Sequence, residues 1–380
     1  GDFSAPVHQF QKWTQNFKDQ TCFIFLIAQH VIFKILTTAG LVTIYSQMLA
    51  GSFDNTGSQK SVVSSPVIEH PKNQLIMDTI QPGQIIIDLA GQKVPVIKGG
   101  LYDRFRSNPP LPVVEKERPD IDLGWFRTIR KEKKEVGFTT YSPNFYYSNS
   151  SITAIYTADM KTLKKLIPEK VRDIVKPISI TPGRGLIAIT AYAYHYCDND
   201  SYNELSISIV TAKPDAGNWG VFSLLREIKN NSLWGYVLKL PVNTELARVR
   251  GVVGYNLPKW LIPIDFNDKG DSITFTIRDE SGKPDFSIAG KKLDIKTTAP
   301  AIVRSNFINL DKNGQLTHGY TDVRALKKAT SKKKEDVKLG LTDGPLSKFI
   351  QSLDLGKLMR YDYQPEFQAA LYTPQPVQQR

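Results

Sequence analysis

Lys259 lies in a run of apolar residues and is the residue of this sequence best suited to covalent chemistry. It follows Leu257 and Pro258 and precedes Trp260, at the end of a strand-like segment. Water is scarce in such surroundings, and burial favours the neutral amine of a lysine over its ammonium form. A neutral amine attacks a carbonyl carbon and forms a Schiff base. A Pro-Lys pair alone is more often part of a turn or a surface, so further features must support this interpretation.

Bulk properties narrow the class of protein. The chain has 380 residues, of which 41% are hydrophobic and 23% charged, values that are ordinary for a soluble protein of one large domain or two smaller ones. The net charge of +12 is concentrated in two lysine runs, at 131–134 and 327–334, which lie among Ser, Thr and Glu. We interpret both runs as solvated loops, which predicts no nucleic-acid partner. Binding of the lysine runs to an anionic membrane surface or to an acidic partner stays open.

Residue types for other chemistries are scarce. The two cysteines, Cys22 and Cys197, exclude a disulfide framework and a cysteine-rich metal site. The five histidines lack the spacing of metal ligands, and sequence motifs for nucleotide binding, zinc proteases and serine hydrolases are missing. The sequence therefore predicts no metal site and no cofactor.

The elements that must position Lys259 follow from residue 121 onward. Strand-like alternation occurs at 151–156, 185–195, 205–212, 234–240, 247–253 and 273–278, and helical spacing at 159–166 and 346–358. Many short strands with isolated helices predict an α+β fold, with an antiparallel β-barrel or double sheet under a few covering helices. We assign residues 121–380 to this domain.

The first 120 residues have a different pattern. Residues 1–50 form an apolar segment that we predict to be helical; residues 51–120 read as a linker and an extended Pro-rich arm with a short β unit. The stretch 21–50 is long enough to span a bilayer, although Gln29, His30 and Lys34 lie near its middle. A buried oligomer helix, a membrane contact and a larger assembly all stay open, and so does a cytoplasmic or membrane-associated location.

Four segments resemble the acetoacetate decarboxylase family, in that family's order and spacing. They are IYTADMKTLKKLIPE at 155–169, YNEL at 202–205, the strand pair that runs from 235 to Lys259, and DGP at 343–345. The resemblance covers roughly residues 125–375, and it implies a barrel-like fold and a homo-oligomer. It also implies that Lys259 forms an imine with the substrate and that Glu204 is the acid beside it. We list the candidate substrate contacts as Trp260, Leu257, Arg250 and Tyr202.

The sequence also departs from that family. Trp260 stands where the family has a second lysine, whose charge favours the neutral amine of the nucleophile. A second family glutamate falls on Ile189, and the arginine associated with the substrate carboxylate falls near Asn149. A cation that replaces the second lysine would have to come from Lys239, Arg248 or Arg250.

These observations predict a lysine Schiff-base lyase, similar to a decarboxylase, whose small-molecule substrate is a keto acid or other carbonyl compound. The altered arginine position favours a substrate larger or more apolar than acetoacetate. Two alternatives stay open. One is a catalytically diverged domain that serves as a binding or structural protein at a membrane or in a complex, and the other is a binding protein for an apolar carbonyl ligand.

Overall fold

The computed structural model describes residues 81–295 and 301–377. The apolar segment 1–50 and most of the linker that follows it lie outside the described residues, so the membrane or assembly contact of 21–50 stays a prediction. Within the described ranges, no helix has both the length and the apolar character that a membrane crossing requires.

The described residues form sixteen strands and seven α-helices. The strands are β1 (Gln84–Leu89), β2 (Gln92–Ile97), β3 (Glu132–Glu135), β4 (Thr139–Ser142), β5 (Asn144–Asp159), β6 (Arg184–Cys197), β7 (Tyr202–Val210), β8 (Ser232–Val242), β9 (Lys259–Leu261), β10 (Ile264–Lys269), β11 (Ser272–Arg278), β12 (Pro284–Lys291), β13 (Ile302–Leu310), β14 (Leu316–Ser331), β15 (Val337–Leu341) and β16 (Leu358–Pro376). The helices are α1 (Leu101–Phe105), α2 (Leu111–Glu117), α3 (Gly124–Arg127), α4 (Met160–Leu166), α5 (Val221–Lys229), α6 (Glu245–Val249) and α7 (Pro345–Ser352). A π-helical turn at Arg250–Gly254 follows α6 directly.

Seven strands close into a barrel. Their order is β13-β14-β16-β5-β6-β7-β8, and a pairing of β8 with β13 completes the ring. That closing pair is parallel, with Ser232 opposite Arg304, whereas the other neighbours in the ring are antiparallel. The predicted barrel with a few helices is confirmed in this coarser form: the described residues are mostly β, and the barrel is mixed and not purely antiparallel. The long connection between β8 and β13, which includes β10, β11 and β12 of a second sheet, permits the parallel return.

A four-stranded sheet, β10-β11-β12-β15, packs against one side of the barrel. Because side chains alternate along a strand, every second residue of β6 and β7 faces this sheet. Ile187 and Ile189 of β6 and Ile207 of β7 are fully buried there, in one apolar cluster with Phe275 and Ile288. The opposite faces of β6 and β7 are left for the interior of the barrel, where the candidate site lies.

One edge of β8 is shared between two strands. Its first half pairs with β13 as far as Tyr236, and its second half pairs with β9 from Leu240 onward. Between these pairings the two partner strands diverge, and a groove of about 500 Å³ opens beside Val237, Leu238 and Lys239. This fork in the sheet brings the groove next to the start of β9, the strand that begins with Lys259.

Residues 247–253 were predicted as a strand, and that prediction is wrong. They form the end of α6 and most of the π-helical turn. The Thr244 hydroxyl accepts a hydrogen bond from the backbone N–H of Ala247 at 3.4 Å and caps the helix. The alternation of Arg and Val in this stretch imitates a strand, but the cap and the turn override it.

The Pro-rich arm is not extended as predicted. Helices α1 and α2 lie in the 51–120 region, and Pro110 and Pro112 lie at the start of α2, where proline is tolerated. Helix α1 and strand β2 pack against α6, through an apolar cluster that includes Val94, Tyr102 and Leu246.

Candidate active site

Lys259 and Glu204 meet across a strand that lies between them. Lys259 pairs with Leu240 of β8, and Glu204 of β7 pairs with Val242 of the same strand. Paired residues share a face of a sheet, and so do alternate residues of one strand, so both side chains lie on one face. The Lys259 Nζ is 2.6 Å from Glu204 Oε2. Both side chains are buried, with 5% and 8% of their surface exposed, so the pair is an internal ion pair.

Gly251 provides the space for the lysine side chain. It belongs to the π-helical turn, and its carbonyl oxygen accepts a hydrogen bond from the N–H of Leu257 at 3.0 Å. A Cβ at this position would lie 2.6 Å from the Lys259 Cε and closer still to Cδ. Only a residue without a side chain lets this turn approach Lys259 so closely. Inserted turns of this kind are frequent at functional sites.

Four tyrosines surround the ion pair: Tyr146, Tyr192, Tyr194 and Tyr202. The Tyr202 ring centre is 5.4 Å from the Lys259 Nζ, and the Tyr194 hydroxyl donates to Glu204 Oε1 at 3.3 Å. The hydroxyls of Tyr146 and Tyr202 are 3.1 Å apart, and Tyr192 stacks on Tyr194.

Burial raises the pKa of all four phenols, and the negative charge of Glu204 raises them further. The tyrosines therefore stay neutral at physiological pH and act as hydrogen-bond donors and apolar walls. In this setting Glu204 is the group placed to remove a proton from the lysine and to return it. The arrangement suits addition of an amine to a carbonyl group in a site with little water.

The other predicted contacts are placed differently. Trp260 pairs with Pro241, so its side chain lies on the face opposite to Lys259, where its ring centre is 5.8 Å from the Lys239 Nζ. Leu257 is buried in an apolar cluster with Leu240 of β8. The structure thus brings Tyr202 to the Lys259–Glu204 pair and does not bring Trp260 to it.

Arg250 is buried at a separate place, where its Nη2 donates to Thr140 Oγ1 and Asn144 Oδ1. Arg248 pairs with Glu245. Lys239 lies over the rings of Trp260 and Phe349. Each of the three cations considered as a substitute for the second lysine therefore has other contacts.

The two other departures have structural explanations. Ile189 pairs with Ile207 and faces the apolar core, so an acid there would point away from Glu204. Asn149 lies on the face of Glu204, opposite Tyr194. Its Nδ2 donates to the carbonyl oxygens of Tyr146 and Phe367, so this amide links strands at the wall of the site.

Sequence reasoning missed Tyr146, Tyr192 and Tyr194 as residues of the site. The signal for two of them was present, because Tyr192 and Tyr194 alternate with Ala191 and Ala193 along β6. Alternation of small and aromatic residues marks a strand with one face against a core and the other against a cavity or a ring cluster. The pairing partners of that strand are needed to show which ring meets which charge.

No cluster of three or more His, Cys, Asp or Glu able to hold a metal ion occurs within 81–295 and 301–377. The imidazoles of His195 and His318 are 2.9 Å from Ser150 Oγ and Asn306 Oδ1, respectively.

No family model matches the sequence, and no curated protein is similar to it at a significant level. Solved structures are similar. One is an acetoacetate decarboxylase, 14% identical, with 62% of this chain and 89% of that chain covered and a TM-score of 0.46. Another is acetoacetate decarboxylase from Legionella pneumophila subsp. pneumophila str. Philadelphia 1, at 13% identity, 62% and 87% coverage and a TM-score of 0.45. A third is an enduracididine biosynthesis enzyme complexed with pyruvate, at 13% identity, 62% and 91% coverage and a TM-score of 0.45. In its fold the chain is similar to solved structures of acetoacetate decarboxylase and of an acetoacetate decarboxylase-like enzyme.

Proposed function

We propose that this protein is a lysine Schiff-base lyase, similar to a decarboxylase, with Lys259 as the nucleophile and Glu204 as its proton acceptor and donor. The observation that carries the proposal is the buried contact of 2.6 Å between Lys259 Nζ and Glu204 Oε2. A buried carboxylate at this distance can accept a proton from the amine and return it, which is the role of a general base and acid.

The first half of the proposed reaction forms the imine. Glu204 takes a proton from the Lys259 ammonium, and the free electron pair on Nζ attacks the substrate carbonyl carbon. The carbonyl oxygen gains a proton and the adduct is a carbinolamine. Glu204 then returns its proton as the oxygen leaves as water, and a protonated imine remains.

The second half uses the imine as an electron sink. When a carboxylate is β to the imine carbon, its carbon–carbon bond breaks, carbon dioxide leaves, and the bonding electrons move to nitrogen through the new carbon–carbon double bond. The resulting enamine gains a proton at carbon: Glu204, ionised since it gave its proton to the leaving water, takes up a proton from solvent and donates it there. Water then hydrolyses the imine and frees Lys259. The tyrosine walls exclude bulk water, which favours loss of the carboxylate's charge.

We infer that the substrate is a keto acid or other carbonyl compound larger or more apolar than acetoacetate. The groove at the fork of β8 opens beside Leu257 and Pro258, next to Lys259 in the chain, and its volume is about 500 Å³. Leu166, Leu238 and Phe349 contribute apolar lining. Asn149 stands at the family arginine's position, and its amide is engaged with backbone carbonyls.

Reductive trapping tests the proposal. The protein is incubated with a panel of β-keto acids of increasing chain length and with sodium borohydride, and the modified peptide is located by mass spectrometry. We expect an adduct on Lys259 that Lys259→Ala abolishes. The matched control is Lys239→Met, since burial lowers the pKa of Lys239 and makes it a competing amine in the groove. Labelling of Lys239 with none at Lys259, or turnover retained by Lys259→Ala, would contradict the assignment.

A second candidate is a domain that binds a carbonyl or carboxylate ligand without turnover. The observation in its favour is that Lys259 is already paired with Glu204 and closely packed by tyrosines. Under this alternative, a keto acid that stabilises the protein against heat is recovered unchanged, and borohydride traps no adduct. Release of carbon dioxide from any member of the panel separates the two candidates.

A further inference from the structure

Arg250 is the largest fully buried side chain of the described residues, and it has no carboxylate partner. Only 1% of its surface is exposed. Its guanidinium carbon lies 5.1 Å from the ring centre of Tyr102 and 5.6 Å from that of Phe138. Two residues earlier, the half-buried Arg248 pairs with Glu245 in the usual way. A buried charge is costly unless an opposite charge or several hydrogen bonds compensate for it.

The hydrogen bonds of Arg250 are incomplete. A guanidinium carries five N–H groups. Two are used, since Nη2 donates to Thr140 Oγ1 at 3.1 Å and to Asn144 Oδ1 at 2.9 Å. The nitrogens Nε and Nη1 have no hydrogen-bond partner among the described residues. Both accepting groups are neutral, so the positive charge is not balanced by them.

The nearby acid Asp198 is already engaged. Its carboxylate accepts hydrogen bonds from the Lys131 Nζ at 2.5 Å, the Tyr147 hydroxyl at 2.8 Å and the backbone N–H of Phe145 at 2.6 Å. Burial lowers the pKa of the Lys131 ammonium; Asp198 opposes this shift, and the positive charge of Arg250 adds to it. Asp198 therefore balances Lys131, and no carboxylate among the described residues forms an ion pair or hydrogen bond with Arg250.

The unpartnered groups beside Arg250 can all donate. They are the Asn144 Nδ2 and the Tyr255 hydroxyl, both in residues at most 2% exposed. Burial raises the pKa of the Tyr255 phenol, and the nearby positive charge of Arg250 opposes that rise. Four polar atoms on three residues thus have hydrogens to give, and a negatively charged acceptor would satisfy them.

We propose that Arg250, Asn144 and Tyr255 form an internal binding site for a small monoanion, either a short carboxylate or a halide. A charge of −1 balances the single uncompensated guanidinium, whereas a dianion would leave a buried negative charge. The wall of this site includes Tyr102, from the part of the chain for which the family resemblance has no counterpart. The proposal does not depend on imine formation at Lys259.

The test is the dependence of stability on anions. The full-length protein is exchanged into a sulfate buffer, and formate or chloride is added at constant ionic strength while the melting temperature is recorded. A ligand that binds only the folded state raises this temperature in a saturable way. We expect such a rise with at least one of the two anions, and the response to each identifies a carboxylate or a halide as the occupant.

Four variants identify the site. Arg250→Met should lose the anion response, whereas Arg248→Met, which removes a paired arginine from the same segment, should keep it. Asn144→Asp places a carboxylate against the guanidinium, so it should raise the melting temperature in sulfate and remove the response to added anion. Lys259→Ala should respond as the wild type does, which separates this site from the Schiff-base proposal.

Two results would overturn the anion site. One is a wild-type melting temperature that neither formate nor chloride changes, which would mean that the rings of Tyr102 and Phe138 and water suffice for Arg250. The other is an anion response that persists in Asn144→Asp. Since Asn144→Asp is designed to stabilise the fold, the test remains decisive even if Arg250→Met does not fold.

Discussion

The amine nitrogen of Lys259 lies 2.6 Å from a carboxylate oxygen of Glu204, across a strand to which neither residue belongs. Strand β8 therefore sets the distance between the two side chains, because Glu204 pairs with one edge of this strand and Lys259 with the other. The same two residues carry the proposed chemistry and compensate each other's charge, so stability and activity are linked at this point. The predictions below separate the two roles.

Removal of one partner should cost far more stability than removal of both. Glu204→Gln leaves a buried ammonium without its counter-charge, which costs about 3–5 kcal/mol. In the double variant Lys259→Met/Glu204→Gln no buried charge remains, so much of that loss should be recovered. Urea unfolding of the wild type, of Glu204→Gln, of Lys259→Met and of the double variant gives the coupling energy of the pair. The matched control is the exposed pair Lys292–Asp268, whose atoms are 2.7 Å apart and whose coupling should be below about 1 kcal/mol. Additive effects at Lys259 and Glu204 would refute a tight pair.

The rate of imine formation should depend on Glu204 much more than on Tyr194. Loss of a positioned general acid–base group slows a reaction by about 10²–10⁴-fold, and we expect Glu204→Gln to fall in this range. Tyr194→Phe removes only a 3.3 Å hydrogen bond to the other carboxylate oxygen, so its effect should stay below about tenfold. Borohydride trapping at fixed times measures both. Equal effects of the two substitutions would argue against proton transfer by Glu204.

Gly251→Ala should displace the lysine. The added Cβ would lie 2.6 Å from the Lys259 Cε, so either the π-helical turn or the side chain must move. We expect a loss of about 1–3 kcal/mol in the free energy of unfolding and slower labelling of Lys259. Gly235→Ala is the control, because its nearest neighbour, a backbone oxygen of Ile209, is 3.4 Å away. Equal behaviour of the two variants would show that the space at Gly251 is not needed.

Asp200 should make stability depend on pH in an unusual direction. Burial raises the pKa of its carboxyl group from 3.8 to about 6. Between about pH 4 and about pH 6 the folded protein therefore binds more protons than the unfolded chain, and the contribution of Asp200 to stability is lost as pH rises through this window. Asp200→Asn keeps the acceptor oxygen for the N–H of Tyr102 and cannot ionise. We expect chemical unfolding of this variant to show a smaller decrease in stability with rising pH, and an unchanged decrease would contradict the assignment.

Local sequence patterns predicted a strand or a helix well where its own residues carry the alternation, the spacing or the cap that identifies it. The strand at 273–278 matches β11 within one residue, and the helix at 159–166 matches α4, with Asp159 as its cap. The helix predicted at 346–358 ends at Ser352, and Leu358 already belongs to β16. The spacing of apolar residues at every third or fourth position continues into that strand, so the sequence does not show where the helix ends.

Contacts between distant strands could not be read from such patterns. Lys259 and Glu204 were paired only through the family resemblance, because their approach depends on two registers of β8. The same is true of the site near Arg250: the arginine was a candidate from its position before Lys259, but its partners Thr140 and Asn144 come from β4 and the start of β5, more than a hundred residues earlier. Alternation along a strand predicts on which side of the sheet a residue lies. It does not predict which other strand that residue contacts.

Strand β16, the last in the described chain, lies between β5 and β14. Phe367 of this strand packs on Tyr192, so the wall around Lys259 is complete only when β16 is in place. During synthesis the ribosome releases Lys259 and Glu204 well before it releases this strand. The pairings of β16 with β5 and of β8 with β13 join distant parts of the sequence, and such contacts form slowly. A newly made chain therefore passes through a period in which the amine of Lys259 is open to solvent, and the closing strand ends that exposure.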